Sequence, residues 1–160
     1  MNDLAGISWE VTQDMFWSSL AAMGFAMLFN VPTRTLIGCI ACGALGHGIR
    51  TLSVELGATI VSGSLIGAIV IGLMGYLFAR RWHAPAIVFT LSGSIPLVPG
   101  RFAYSTMLSL IQLSTADPKT GEGLLVQASI NGIKTMMILG VIAAGISAPT
   151  LLFERSKPPV

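Results

Sequence analysis

The chain has 160 residues, 53% of them hydrophobic and only 10% charged, with a net charge of +2 and a mean hydropathy of +0.78. A soluble domain of this length carries about 25% charged residues on its surface, so composition sets aside a cytosolic enzyme, a disordered chain and a nucleic-acid binder and leaves an integral membrane protein. Asp3, Glu10 and Asp14 precede the first apolar run without a basic segment, which predicts that no signal peptide is removed.

Apolar runs and their polar punctuation predict an all-α fold of five helices in one transmembrane domain over 1–160, with spans at 11–29, 36–54, 57–79, 85–113 and 124–153. The first ends in the turn Asn30-Val31-Pro32-Thr33-Arg34. The second carries His47 and Arg50. Arg50 reads either as an arginine snorkelling toward the helix end and paired with Glu55, or as a ligand group. His47 reads either as a neutral core histidine or as a member of a site. Cys39 and Cys42 form a C-x-x-C on the same helix, but with no second pair or neighbouring metal ligand they read as small packing residues, so no metal and no cofactor are expected.

The third span ends in Arg80-Arg81-Trp82-His83. Within the fourth, Ser92-Gly93-Ser94-Ile95-Pro96-Leu97-Val98-Pro99-Gly100-Arg101 interrupts the apolar run. Pro96 and Pro99 have no backbone donor and Gly100 loosens the chain, so two half-helices are expected, 85–95 and 101–113. They form either one broken span or a re-entrant hairpin. The second half-helix would present its positive N-terminal end, and Arg101 with the hydroxyls of Ser92 and Ser94 would complete an anion site; the alternative is a plain proline kink with Arg101 in water. Lys134 lies ten residues into the fifth predicted span, about 15 Å at the helical rise, which puts it near the bilayer midplane. A cation at such a depth costs roughly 2.5–3.5 kcal/mol unless water, an acid or an anion meets it, and no acid is expected away from the helix ends to do so.

Small residues recur at helical spacing: Gly38, Cys42 and Gly46, then Gly63 and Gly67, then Gly140, Ala144 and Ala148. These predict helix-contact faces, within the chain or in further oligomerisation. With five spans, Arg34, Arg80, Arg81, Arg155 and Lys157 share one side, which predicts the N-terminus outside and the C-terminus in the cytoplasm. An odd span count also lets a second, homologous half lie with inverted topology, the common build of secondary transporters. No clustered-acid, P-loop or zincin motif supports an enzyme, and the Ser92–Ser94 run has no group that fixes it beside His47 for serine chemistry.

Three stretches carry a resemblance: Gly24-Phe25-Ala26-Met27-Leu28-Phe29-Asn30-Val31-Pro32, Gly46-His47-Gly48 with Arg50, and Ile95-Pro96-Leu97-Val98-Pro99-Gly100. The chain resembles the threonine/serine exporter family over nearly its whole length, and within it the short YjjB-like subunit of the split, two-component members. Asn30 and Pro32 match the family turn; Pro96, Pro99 and Gly100 match its broken segment. The resemblance implies a bacterial inner-membrane protein partnered by a larger YjjP-like subunit, with succinate export implied by the short subunit and threonine and serine export by the wider family.

A zwitterion wants an acid as well as a base, whereas a dicarboxylate wants two cationic or donor clusters. The residues read as embedded are cationic, so a C4 dicarboxylate is the first expectation, an amino acid the second, and a scaffold that only binds its partner the third. Outward movement of a dianion down a potential of about 100 mV releases about 4.6 kcal/mol, so no coupling ion is required.

Overall fold

The structure is a computed structural model that describes residues 2–153, with the backbone alone for 2–5, 118 and 119. Arg155 and Lys157 lie outside the described residues. The elements are α1 (Asn2–Leu28), a 3-10 turn (Thr33–Thr35), α2 (Leu36–Glu55), α3 (Ile60–Trp82), α4 (Ala86–Ser94) with a 3-10 extension (Ile95–Leu97), α5 (Gly100–Leu113) and α6 (Pro118–Phe153). No strand occurs among the described residues.

The helix ends follow from local chemistry. Asn30, at φ 55°, closes α1: its N–H bonds Met27 O at 3.0 Å and the Val31 N–H bonds Ala26 O at 3.0 Å, the left-handed cap that asparagine tolerates. Pro32 then opens the 3-10 turn, in which the Thr35 hydroxyl donates to Pro32 O at 2.8 Å. Gly57, at φ +95°, ends α2 rather than starting α3, so α3 begins at Ile60 behind an N-cap in which Thr59 Oγ1 accepts from Ser62 N at 3.2 Å.

The fourth predicted span is broken. Its first half runs through Leu97, and Pro99 (φ −79°, ψ 59°) sits at the centre of an inverse γ-turn closed by the Gly100 N–H on Val98 O at 2.8 Å. Pro96 and Pro99 supply no N–H, so no α-helical ladder passes through the segment.

Three helices are long and apolar enough to cross a membrane, Thr33–Glu55, Ile60–Trp82 and Thr120–Phe153, or four if the broken pair is one span. At 27 residues α1 is long enough, but Thr12, Gln13, Asp14, Ser18 and Ser19 keep it outside that set. The described residues form two packing units: those up to Leu97 with those from Val141 onward, and Val98–Gly140.

In the first unit glycines set the spacing. A methyl on Gly67 would meet Gly46 O at 2.5 Å, so the α2 and α3 backbones touch there, and a methyl on Gly46 would fall inside the Ile71 side chain. Gly38 lies under Phe89, and Gly63 lies 3.2 Å, at the position of an added methyl, from Arg50 O. The last part of α6 meets α3 through Gly145, opposite Ala68. The small-residue face expected at Gly140, Ala144 and Ala148 is not the one used for this contact within the chain. Gly140 has nothing within reach of an added methyl, and the buried positions are Ile142, Gly145 and Pro149, a face rotated from the expected one at the same helical period.

The second unit pairs α5 with the first part of α6. Gly132 faces Thr106 and Gly121 faces Leu113, while Leu108, Ile111, Val126 and Ile133 remain exposed.

Candidate functional site

His47, Arg50, Thr51 and Val54 follow one another at helical spacing and share a face of α2. Opposite them α1 brings Asp14. The α1 face toward α2 runs through the buried Ser18, Ala22 and Ala26, and Asp14 is the same stripe one turn earlier. Together with Ile60 these residues line a cleft of ≈180 Å³.

The polar contacts form a chain. The Thr51 hydroxyl donates to Asp14 Oδ2. Asp14 Oδ2 lies 3.5 Å from His47 Nδ1. On the other side of the ring, Arg50 Nη1 stands 3.4 Å from His47 Nε2. Arginine is a donor only, so Nε2 is the acceptor side of that contact, and the other ring nitrogen, Nδ1, faces Asp14. At 3.5 Å that last contact is beyond a formed hydrogen bond, and the buried Nδ1 has no bonded partner. The site thus holds one unmade hydrogen bond that a small shift or a bound molecule can complete.

Arg50 Nη1 also donates to Leu97 O at 3.4 Å. Leu97 ends the first half of the broken helix, where carbonyls are unpaired and the helix dipole is negative. The break therefore enters this cleft through a carbonyl meeting Arg50. No ion pair joins Arg50 to Glu55 or to Asp14 among the described residues, so the snorkelling pair does not form. Both of Arg50's bonds are long, and its remaining N–H groups are donors to spare.

Asp14 corrects the expectation that acids stay near helix ends. The helix starts at Asn2 rather than at Val11, which places Asp14 in its interior. Its side chain is 42% exposed and that of His47 18%, so the acid opens onto the cleft while the imidazole forms its wall. The signal for Asp14 was present in the sequence as the four-residue step to Ser18, Ala22 and Ala26; Thr51 was legible only as His47 plus one turn.

Of the other predicted site residues, Ser92 and Ser94 belong to the same unit and Arg101 and Lys134 to the second. Ser92 is buried and donates to Val88 O at 3.3 Å, and Ser94 donates to Leu91 O at 3.0 Å, so both hydroxyls are used on their own helix. Arg101 is exposed in the first turn of α5. Lys134 lies near the middle of the 36-residue α6, exposed, with Nζ 5.5 Å from the centre of the Phe102 ring. No group of three or more metal-ligating side chains exists among the described residues.

Apolar helices with glycine contacts, one of them broken, and a mixed acid–base cluster at the break are the build of an integral membrane protein. The family model described as "Threonine/Serine exporter, ThrE" matches residues 14–152, and the chain belongs to that family of membrane transporters. No solved structure gives a significant match.

Proposed function

We infer that the chain is the short, YjjB-like subunit of a two-component secondary exporter of small carboxylates in a bacterial inner membrane, with succinate as substrate and a larger YjjP-like subunit completing the transport path. The observation that carries this reading is Arg50: a guanidinium on an inward helix face, bonded among the described residues only at 3.4 Å to His47 and to the carbonyl at the helix break, with donors free for a carboxylate. The cleft is smaller than the 300 Å³ or so at which drug-sized pockets begin, which suits a ligand of few atoms. Succinate is favoured over a monocarboxylate by the resemblance to the short subunit. In this reading α1 crosses as a fifth span, with the N-terminus outside and Arg34, Arg80 and Arg81 on the cytoplasmic side.

A second reading, export of threonine or serine, is favoured by Asp14, because a carboxylate beside Arg50 offers a zwitterion both of its partners. The experiment that tests the function is efflux of labelled succinate and labelled threonine from vesicles holding this chain with and without the larger subunit. Succinate efflux only with both chains supports the first reading, and threonine efflux alone supports the second. If neither moves with both chains inserted, a scaffold that serves only to bind its partner replaces both.

A further inference from the structure

Succinate and threonine have the same number of heavy atoms, and each has a carboxylate for Arg50, so a cleft of ≈180 Å³ does not separate them by size. They differ in charge at the other end. What the cleft presents there is Asp14. Its Oδ2 is held by the Thr51 hydroxyl and faces His47 Nδ1, and the imidazole stands between it and Arg50, which bonds the far side of the ring. A carboxylate whose task was to neutralise Arg50 would touch the guanidinium, and this one does not. Opposite charges are thus kept near one another but unpaired, on a surface that a small molecule reaches.

We propose that Asp14 is the selectivity residue of the cleft. With the substrate carboxylate at Arg50, its negative charge faces the substrate's other end, favours an ammonium there and holds back a second carboxylate. Whichever of the two compounds is the cargo, the same side chain then assists threonine and restrains succinate. The inference rests on the small-carboxylate reading of this cleft and adds to it the group that discriminates.

The test is the ratio of succinate to threonine efflux from vesicles holding both subunits, preloaded equally with the two labelled compounds. Asp14→Asn keeps the shape and the contact with Thr51 but removes the charge, and raises the ratio by at least about tenfold, the size of one charge-assisted hydrogen bond. Asp14→Glu keeps the ratio near the wild-type value. If the asparagine variant fails to insert, Thr51→Val loosens the carboxylate without touching it and raises the ratio about threefold. An unchanged ratio with both fluxes falling together makes Asp14 a structural residue and overturns the inference, as does a wild type that already excludes threonine. A wild type that moves neither compound is a different failure: it removes the small-carboxylate reading itself.

Discussion

Arg50 and Lys134 are both cations on apolar helices, yet the two packing units treat them differently. In the first unit Arg50 meets an imidazole and a helix-end carbonyl and lies on the same cleft as an acid. In the second, Lys134 has the face of Phe102 and no ion pair among the described residues. The difference lies in how many helices converge on each. The first unit packs α1, α2, α3 and α4 so closely, through glycines, that side chains from three of them reach Arg50's surroundings. The second is a pair of helices with most of their large side chains exposed. A cation's sequence context therefore says that it needs a partner, and the local density of helices decides whether the chain itself provides one.

The sharpest way to break this comparison is to remove the anchor. Arg50→Gln is expected to lower efflux of either substrate by about a hundredfold, the loss of a desolvated charge-assisted contact, while membrane insertion is retained; efflux within twofold of wild type would move the site away from the first unit. Next in size is the packing that makes the first unit dense. Gly67→Ala places a methyl 2.5 Å from Gly46 O, against backbone that has no rotamer to escape into, and should cost about 1–3 kcal/mol of stability in detergent. Gly140→Ala, with nothing near its added methyl, should stay within about 0.5 kcal/mol. Equal thermal shifts for the two would mean that the α6 contact face is the one expected from Gly140 after all. The smallest effect on transport belongs to Lys134→Met, for which we expect succinate efflux to fall by about threefold and threonine efflux to hold, as for an outlying cationic contact. A loss as large as that of Arg50→Gln would place the two cations on an equal footing.

The breaks in the helices were legible because their causes are local. Asn30, Gly57, Pro96 and Pro99 each act within a few residues, through a left-handed φ or a missing N–H, and each can be read without knowing what lies across from it. Helix starts were less legible: α1 runs nine residues further toward the N-terminus than its hydropathy announces, because polar residues on one side of a helix do not stop it.

By itself the sequence determined that this is an apolar, all-helical membrane chain with a broken fourth segment and more basic than acidic groups on its helices, since composition, periodicity and proline chemistry act along the chain. The family follows from the same residues. Only the tertiary structure decided which polar residues meet. Thr51 and Asp14 are 37 positions apart and Arg50 and Leu97 are 47 apart, and they meet because glycine contacts set how closely and at what rotation α1, α2 and α3 pack, an outcome of side-chain volumes on three helices at once. The same packing left Ser92 and Ser94 bonded to their own helix and made Asp14, an acid that read as terminal, the counterpart of Arg50.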